Sequence, residues 1–497
     1  MTLQSMSKYS SLITFCAATL LLVSPNPAAS ASAAETFCLK GEFDLGLRLQ
    51  GLEPAAGEFY PARFCVTSEA GGSRIHFAAK GHSNPDMTGD FAVSYLPPDR
   101  VRLHGEDAGN DIEFVGADIG DEALRTRRLD PRRLAAEIRT GVGWSAVGDG
   151  WFRYGAADGE PLRVHLERGR VVTVEAVADL PLRGRVPVVW HWDWPPDNAG
   201  EASGVLRVDG AVMLRGQGER RNLTAVDAEA LWTGNRETPA REIPGANWPA
   251  TIDMRLETLA NGVHRVTGVR TGFNHLVVET ADGLVVADAP AGWVELHQVP
   301  PADLVPGLGV SGLSERLIDF LGERFPAVPL RAVALTHAHD DHVGGARAFA
   351  AAGARIYAPA GVADWLETAL NRGNMPPDRL AEMGGRVEIR PVAGRVPLDD
   401  PQRAVELVSL PSGPHVEAAL GLWVPAAKLF FQSDLHVPRG DADSPRADRS
   451  DTECWFARWA VNELPGDSEV LNSHSLTRTP ASRLLSYTQH AACPRGD

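Results

Sequence analysis

The chain has 497 residues, 44% apolar and 23% charged, and its 48 Lys and Arg against 64 Asp and Glu leave a net charge of −16. That length is too great for one ordinary domain, and the composition is that of a globular chain with a sizeable core, not a disordered or fibrous one. The acidic balance argues against a nucleic-acid partner, because binding to phosphates rests on Lys and Arg.

Residues 1–33 are expected to be a secretory signal peptide. Lys8 gives a positive start, 12–23 is an apolar run, and Ala29-Ser30-Ala31 and Ala31-Ser32-Ala33 are small-x-small cleavage sites. The run is short for a bilayer span, and no second stretch of spanning length follows, so no stable membrane insertion is expected after cleavage. The expected location is periplasmic or secreted. Cys16 leaves with the signal, and four cysteines remain as two pairs along the chain, Cys38/Cys65 and Cys454/Cys493. An even count in an exported chain predicts disulfides, and proximity favours one in each half.

Residues 34–232 are strand-rich. Alternating or apolar runs at 41–49, 72–78, 90–95, 163–166, 170–178 and 204–214 are punctuated by Asn, Asp and Gly. One helix is predicted, with Asp130 as N-cap, Pro131 in the first helical position, and Leu134, Ala135 and Ile138 on its apolar face. The pattern predicts a mainly antiparallel β domain. It distantly resembles the half-barrel sheets of lipoprotein-carrier proteins. Trp190, Trp192 and Trp194 recur at period two and line one strand face. Core packing is the favoured reading of that stripe over stacking on an apolar or sugar-like ligand. Residues 233–250 hold three prolines and two glycines and are expected to be a linker.

From 251 to 497 the texture becomes α/β. Strands are predicted at 263–269, 274–279, 284–288 and 330–335. Helices are predicted at 313–325, with Leu317, Ile318 and Leu321 on one face, and at 347–352 and 362–371. The strand at 330–335 runs into Thr336-His337-Ala338-His339-Asp340-Asp341-His342, then Gly344-Gly345. A metal ion needs several nitrogen or oxygen donors converging on one point, and a strand-to-turn corner supplies them.

His337-x-His339-x-Asp341-His342 resembles the signature of the metallo-β-lactamase superfamily of hydrolases. The resemblance implies an αββα sandwich for the C-terminal domain, and the superfamily's other motifs follow in order. Asp288, at the end of 284–288, matches a carboxylate that supports the site by hydrogen bonding. His415, after Leu410-Pro411-Ser412-Gly413-Pro414, matches the third motif. Val416 stands where a small hydroxyl residue is usual, with Glu417 beside it as a substitute. Asp434 matches the carboxylate that bridges two metals in branches related to glyoxalase II, where β-lactamase branches carry Cys or Ser. His474 matches the last histidine. By resemblance, His337, His339 and His415 hold one metal, Asp341, His342 and His474 a second, and Asp434 bridges them. Asp341 or Asp434 then orients the attacking water and takes its proton. The nitrogen-rich set suits two divalent ions, Zn2+ first, with iron or manganese open at one position. His275 and His436 lie near these motifs as pocket residues rather than ligands.

The implied function is an exported binuclear hydrolase cleaving an ester, thioester, lactone or related small molecule. The alternatives are a β-lactam hydrolase, a phosphodiesterase or nuclease, and a carrier protein with a vestigial metal domain.

Overall fold

The computed structural model describes residues 34–44, 59–69, 72–79, 89–96, 100–104, 112–115, 130–154, 162–196, 200–223, 241–244, 253–269, 273–291, 309–398, 404–438, 445 and 450–493. The expected signal peptide lies outside them.

The first sheet has fourteen strands among the described residues. Two meanders build it. One runs from Ala34–Asp44 to Ile112–Val115, the other from Trp144–Gly148 to Ala211–Leu223. They join where Ala34–Asp44 pairs antiparallel with Ala211–Leu223. On its other side Ala34–Asp44 pairs with Phe59–Glu69, which sets Cys38 opposite Cys65, and the two form a disulfide. The strand Arg241–Pro244 adds in parallel to Ile112–Val115. Part of the expected linker is therefore an edge strand, and the rest of 233–250 lies outside the described residues. The expected run at 204–214 is two strands, Ser203–Val208 and Ala211–Leu223. Asp209 and Gly210 divide it, both with positive φ, as a tight two-residue hairpin turn requires.

Period-two burial explains the strand Gly184–Asp193. Val186, Val188, Trp190 and Trp192 face inward, while Arg185, Pro187, His191 and Asp193 are exposed. Trp190 and Trp192 stack at 5.2 Å and pack against Phe64 and Phe37. Trp194 follows the strand, half-buried, and its Nε1–H donates to the Val171 carbonyl at 2.7 Å. The tryptophan stripe is core. The helix Pro131–Thr140 covers part of the same core with Leu134, Ala135 and Ile138. Asp130 caps it by accepting from the Arg132 and Arg133 amides, and Arg220 in turn holds the Asp130 carboxylate at 2.9 Å.

The C-terminal part is a four-layer sandwich. A seven-stranded sheet runs Arg255–Ala260, Val263–Thr267, Asn274–Thr280, Gly283–Ala287, Leu330–Ala334, Arg355–Pro359, Ile389–Val392, and is parallel from Gly283–Ala287 onward. A six-stranded sheet runs Arg395–Leu398, Val405–Leu410, Ala419–Val424, Leu429–Phe431, Glu469–Leu471, Thr479–Pro480. Strand alternation sorts the apolar residues into layers. Leu276, Val278, Val285, Ala332 and Ala334 meet Leu407, Leu420, Leu422 and Phe431 between the sheets. Val277, Val286 and Val333 point the other way, onto Leu313, Leu317 and Leu321 of the helix Gly312–Arg324. On the far side Val408, Phe430 and Val470 pack on Phe456 and Leu484, from the helices Ser450–Glu463 and Ala481–Thr488. The Cys454–Cys493 disulfide ties the helix Ser450–Glu463 to the segment that follows Ala481–Thr488.

Among the described residues, the two parts touch through a hairpin tip. Leu182, between Arg170–Leu180 and Gly184–Asp193, is buried in the helix-side core of the sandwich. Asn374 fixes the tip, its carbonyl accepting from the Arg185 amide at 2.7 Å and its side chain donating to the Arg183 and Arg185 carbonyls. Pro181 lies so close to Gly344 that a Cβ there would sit 2.5 Å from it.

The short helix Ala346–Ala351 is anchored by Arg347, buried and bonded to both Asp378 oxygens at 2.5 and 2.8 Å. Asp378 also caps the helix that it precedes, Arg379–Glu382, accepting from the Ala381 amide. Burial opposes ionisation of Asp378, yet the bonds from Arg347 and the Ala381 amide hold its carboxyl below the usual carboxylate range. Its stabilisation is therefore present above the unfolded value near pH 4 and is lost as pH falls through the depressed folded value. Asp378→Asn should cost about 3 kcal/mol at pH 7, the scale for breaking a buried pair. In urea unfolding followed from pH 7 to pH 2, that gap should close on the acid side; a gap constant over this range would contradict the assignment.

Candidate metal centre

The site forms where strands of both sheets end. Gly283–Ala287 and Leu330–Ala334 are parallel neighbours, so Asp288 and the His337 turn leave the first sheet side by side. Leu429–Phe431 and Glu469–Leu471 are parallel neighbours in the second sheet, so Asp434 and His474 do the same. Two backbone bonds join the sheets at this rim, from the Leu420 amide to the Thr336 carbonyl and from the Asn274 amide to the Ser473 carbonyl, both 2.7 Å.

The strand carrying the first motif ends at Ala334, earlier than expected, and 335–339 is an irregular turn. His339 begins a single helical turn, Asp340–Val343, before the Gly344-Gly345 break. Asp341 and His342 are already helical. Gly345 stays small because a Cβ would meet the Ser314 hydroxyl at 2.0 Å.

His337, His339, His415 and Asp434 each offer a ligand atom within 4.8 Å of one another, and so do Asp341, His342 and His474. Asp434 lies between the groups. Its Oδ2 is 3.9 Å from His337 Nε2, 3.7 Å from His415 Nε2 and 3.3 Å from His342 Nε2, and its Oδ1 is 3.0 Å from His474 Nε2. The first group is buried. The side chains of Asp341 and His474 are 19% and 28% exposed, so the second group faces solvent. The Phe273 ring walls that group, 4.9 Å from the His342 ring and 4.8 Å from the His474 ring.

Asp288 supports the cluster from below. Its Oδ1 accepts from the Thr336 amide at 2.8 Å and its Oδ2 contacts His342 Nδ1 at 2.9 Å. Thr336 Oγ1 is 3.0 Å from His337 Nδ1. These contacts orient rings from behind, as outer partners of ligating imidazoles do. Thr336, Ser433 and Ser473 carried no signal in the sequence beyond standing next to donors, and Phe273 carried none. Glu417, beside His415, is exposed.

Burial, reinforced by the His342 and His339 imidazoles, pushes His337 well below the ordinary histidine value and keeps its lone pair available. Burial also opposes charge on His342 and Asp434. The Asp341, Asp434 and Asp288 carboxylates nevertheless hold His342 well above its ordinary value. The His342 and His474 imidazoles hold Asp434 well below its own. The pocket thus favours positive charge beside His342. His342 Nε2 is buried without a hydrogen-bond partner and lies 3.5 Å from Asp341 Oδ2 as well as facing Asp434. A buried imidazole nitrogen aimed among carboxylates fits a divalent cation in the place of its proton.

His275 and His436 do not join either group. His275 Nδ1 contacts the Ala287 carbonyl at 2.9 Å, and His436 Nε2 contacts Thr479 Oγ1 at 3.0 Å.

Among known proteins, the model of a β-lactamase superfamily domain matches residues 310–457. These residues belong to the metallo-β-lactamase superfamily. The superfamily match contains His337 to Asp434, while Asp288 and His474 flank it. Solved structures similar to the chain include a metallo-β-lactamase from Pontibacter korlensis, 17% identical, with 47% of this chain and 96% of that one covered and a TM-score of 0.34. Another is a metallo-β-lactamase from Hirschia baltica, 19% identical, covering 47% and 95%, with a TM-score of 0.32. No curated protein matches the sequence.

If the two donor groups are the metal sites, His415→Ala should lower the metal bound per chain, measured by plasma mass spectrometry after dialysis against zinc. His436→Gln should lower thermal stability and leave the metal content unchanged. Equal metal in wild type and His415→Ala would contradict the grouping.

Proposed function

We propose that the protein is an exported, metal-dependent hydrolase of a small-molecule ester, thioester or lactone. One observation carries the reading: the buried Asp434 carboxylate faces both donor groups at 3.0–3.9 Å. His337, His339 and His415 would hold one divalent ion, Asp341, His342 and His474 the other, with Asp434 shared. Two such ions, Zn2+ being the simplest choice for this donor set, would supply an acidified water and a positive clamp for developing oxyanion charge.

The chain's own residues do the rest. His337 is kept neutral and Asp434 ionised by their surroundings, so both present lone pairs without first losing a proton. Asp288 turns His342 so that Nε2 faces the cluster. Phe273 keeps water from one wall. Asp341, on the solvent-facing side, or Asp434 would orient the attacking water and accept its proton. Asp434 in place of Cys or Ser weighs against a lactam as the main substrate. The acidic charge weighs against nucleic acid.

Export is supported by two disulfides, which persist in oxidising compartments. Among the described residues no helix is long and apolar enough to cross a membrane. In this reading 1–33 is the signal peptide, 34–232 the β domain, 233–250 the connection and 251–497 the catalytic domain.

The test is metal content per mature chain, coupled to turnover of an ester, thioester, lactone and lactam panel before and after chelation. About two ions per chain and chelator-sensitive turnover of the first three classes are expected. Asp434→Ala should lose more than the ~10–100-fold that removal of an outer partner costs. A metal-free, inactive wild type after reconstitution would sink the proposal, and full activity in Asp434→Ala would sink the bridging role.

A further inference from the structure

Six non-glycine residues among those described have left-handed backbone. Asp149, Arg168 and Asp209 each precede a glycine in an exposed hairpin turn, and exposed Lys428 ends the turn Pro425–Ala427. The remaining two, Asp288 at φ 65° and Ser433 at φ 66°, are fully buried and touch each other. Left-handed backbone is unfavourable for any side chain, and glycine takes it freely. A buried serine held there, where glycine fits better, points to a job for its hydroxyl.

The hydroxyl has four partners. Ser433 Oγ is 3.1 Å from Asp288 Oδ2, 3.2 Å from Asp434 Oδ1, 3.1 Å from His342 Nδ1 and 2.9 Å from Ser473 Oγ. It has one proton to donate, which the two carboxylates compete for, and lone pairs that accept from His342 Nδ1–H and Ser473 Oγ–H. Three of these partners stand at strand ends, Asp288 after Gly283–Ala287, Asp434 after Leu429–Phe431 and Ser473 after Glu469–Leu471, and the fourth, His342, lies in the helical turn Asp340–Val343. The Ser473 amide also donates to the Ser433 carbonyl at 3.1 Å. Resting on the metal-site reading above, we propose that Ser433 is a positioning residue: its hydroxyl couples the outer carboxylate Asp288 to the shared carboxylate Asp434. It thereby fixes both the ring of His342 and the Oδ1 that faces His474. The hub serves the solvent-facing ion first, since His342 and His474 both belong to that group.

The test uses the full mature chain with Ser433→Gly and Ser433→Ala. Both delete the hydroxyl; only glycine relieves the backbone. Metal-depleted proteins are titrated with Zn2+ against a chromophoric chelator, and the metal-free forms are melted. Ser433→Gly should melt at or above the wild-type temperature while the weaker zinc affinity falls ~10–100-fold, the usual cost of losing an outer partner. Ser433→Ala should show the same loss of zinc affinity and a lower melting temperature. Wild-type zinc affinities in Ser433→Gly would overturn the proposal, because a residue serving only the fold would weaken zinc only where it also weakens the fold. A wild type that takes up no zinc would remove the metal-site reading itself, and this proposal with it.

Discussion

Asp434 is a buried carboxylate, and a buried charge persists only where opposite charge meets it. Four imidazole nitrogens approach it within 3.9 Å, and they come from three separate segments of the chain: the His337–His342 turn, His415 and His474. Much of the sandwich can be understood as the arrangement that brings those segments to one point. Parallel pairing aligns strand ends, so neighbouring strands deliver neighbouring donors. The apolar layer between the sheets then sets the two rims against each other. The two rim hydrogen bonds, at Thr336–Leu420 and Asn274–Ser473, fix that alignment at the site itself.

The outer contacts are as ordered as the donors. Asp288 accepts a backbone amide with one oxygen and meets His342 with the other, so the first motif is oriented from a strand that holds no donor of its own. The β domain reaches the same region from behind. Its hairpin tip places Leu182 in the sandwich core and Pro181 against Gly344, two residues beyond His342. Gly344 must be small because of that contact, so one glycine of the motif answers to the neighbouring domain as well as to the local turn.

Much of this was legible in the sequence. His337, His339, Asp341 and His342 share a short local signature, and the other three donors each follow an apolar run, so local sequence marks all of them. The helix at Pro131–Thr140 was readable from Asp130 and Pro131 because capping is a local effect. The Trp190–Trp192 face was readable as core from its period. What the sequence hid depends on distant partners. Arg241–Pro244 gains strand form only from pairing with Ile112–Val115, against its prolines and glycines nearby. The run at 204–214 looked continuous because the Asp209-Gly210 turn is short. Ser433 gave no sign because its importance lies in a backbone angle and in partners 40, 91 and 145 residues away.

Anomalous diffraction from crystals of the zinc-loaded mature protein tests the central assignment most directly. The account predicts two peaks, one about 2.0–2.2 Å from nitrogens of His337, His339 and His415 and one at similar range from His342, His474 and Asp341, each also touching Asp434. Peaks away from Asp434, or none at all, would contradict it.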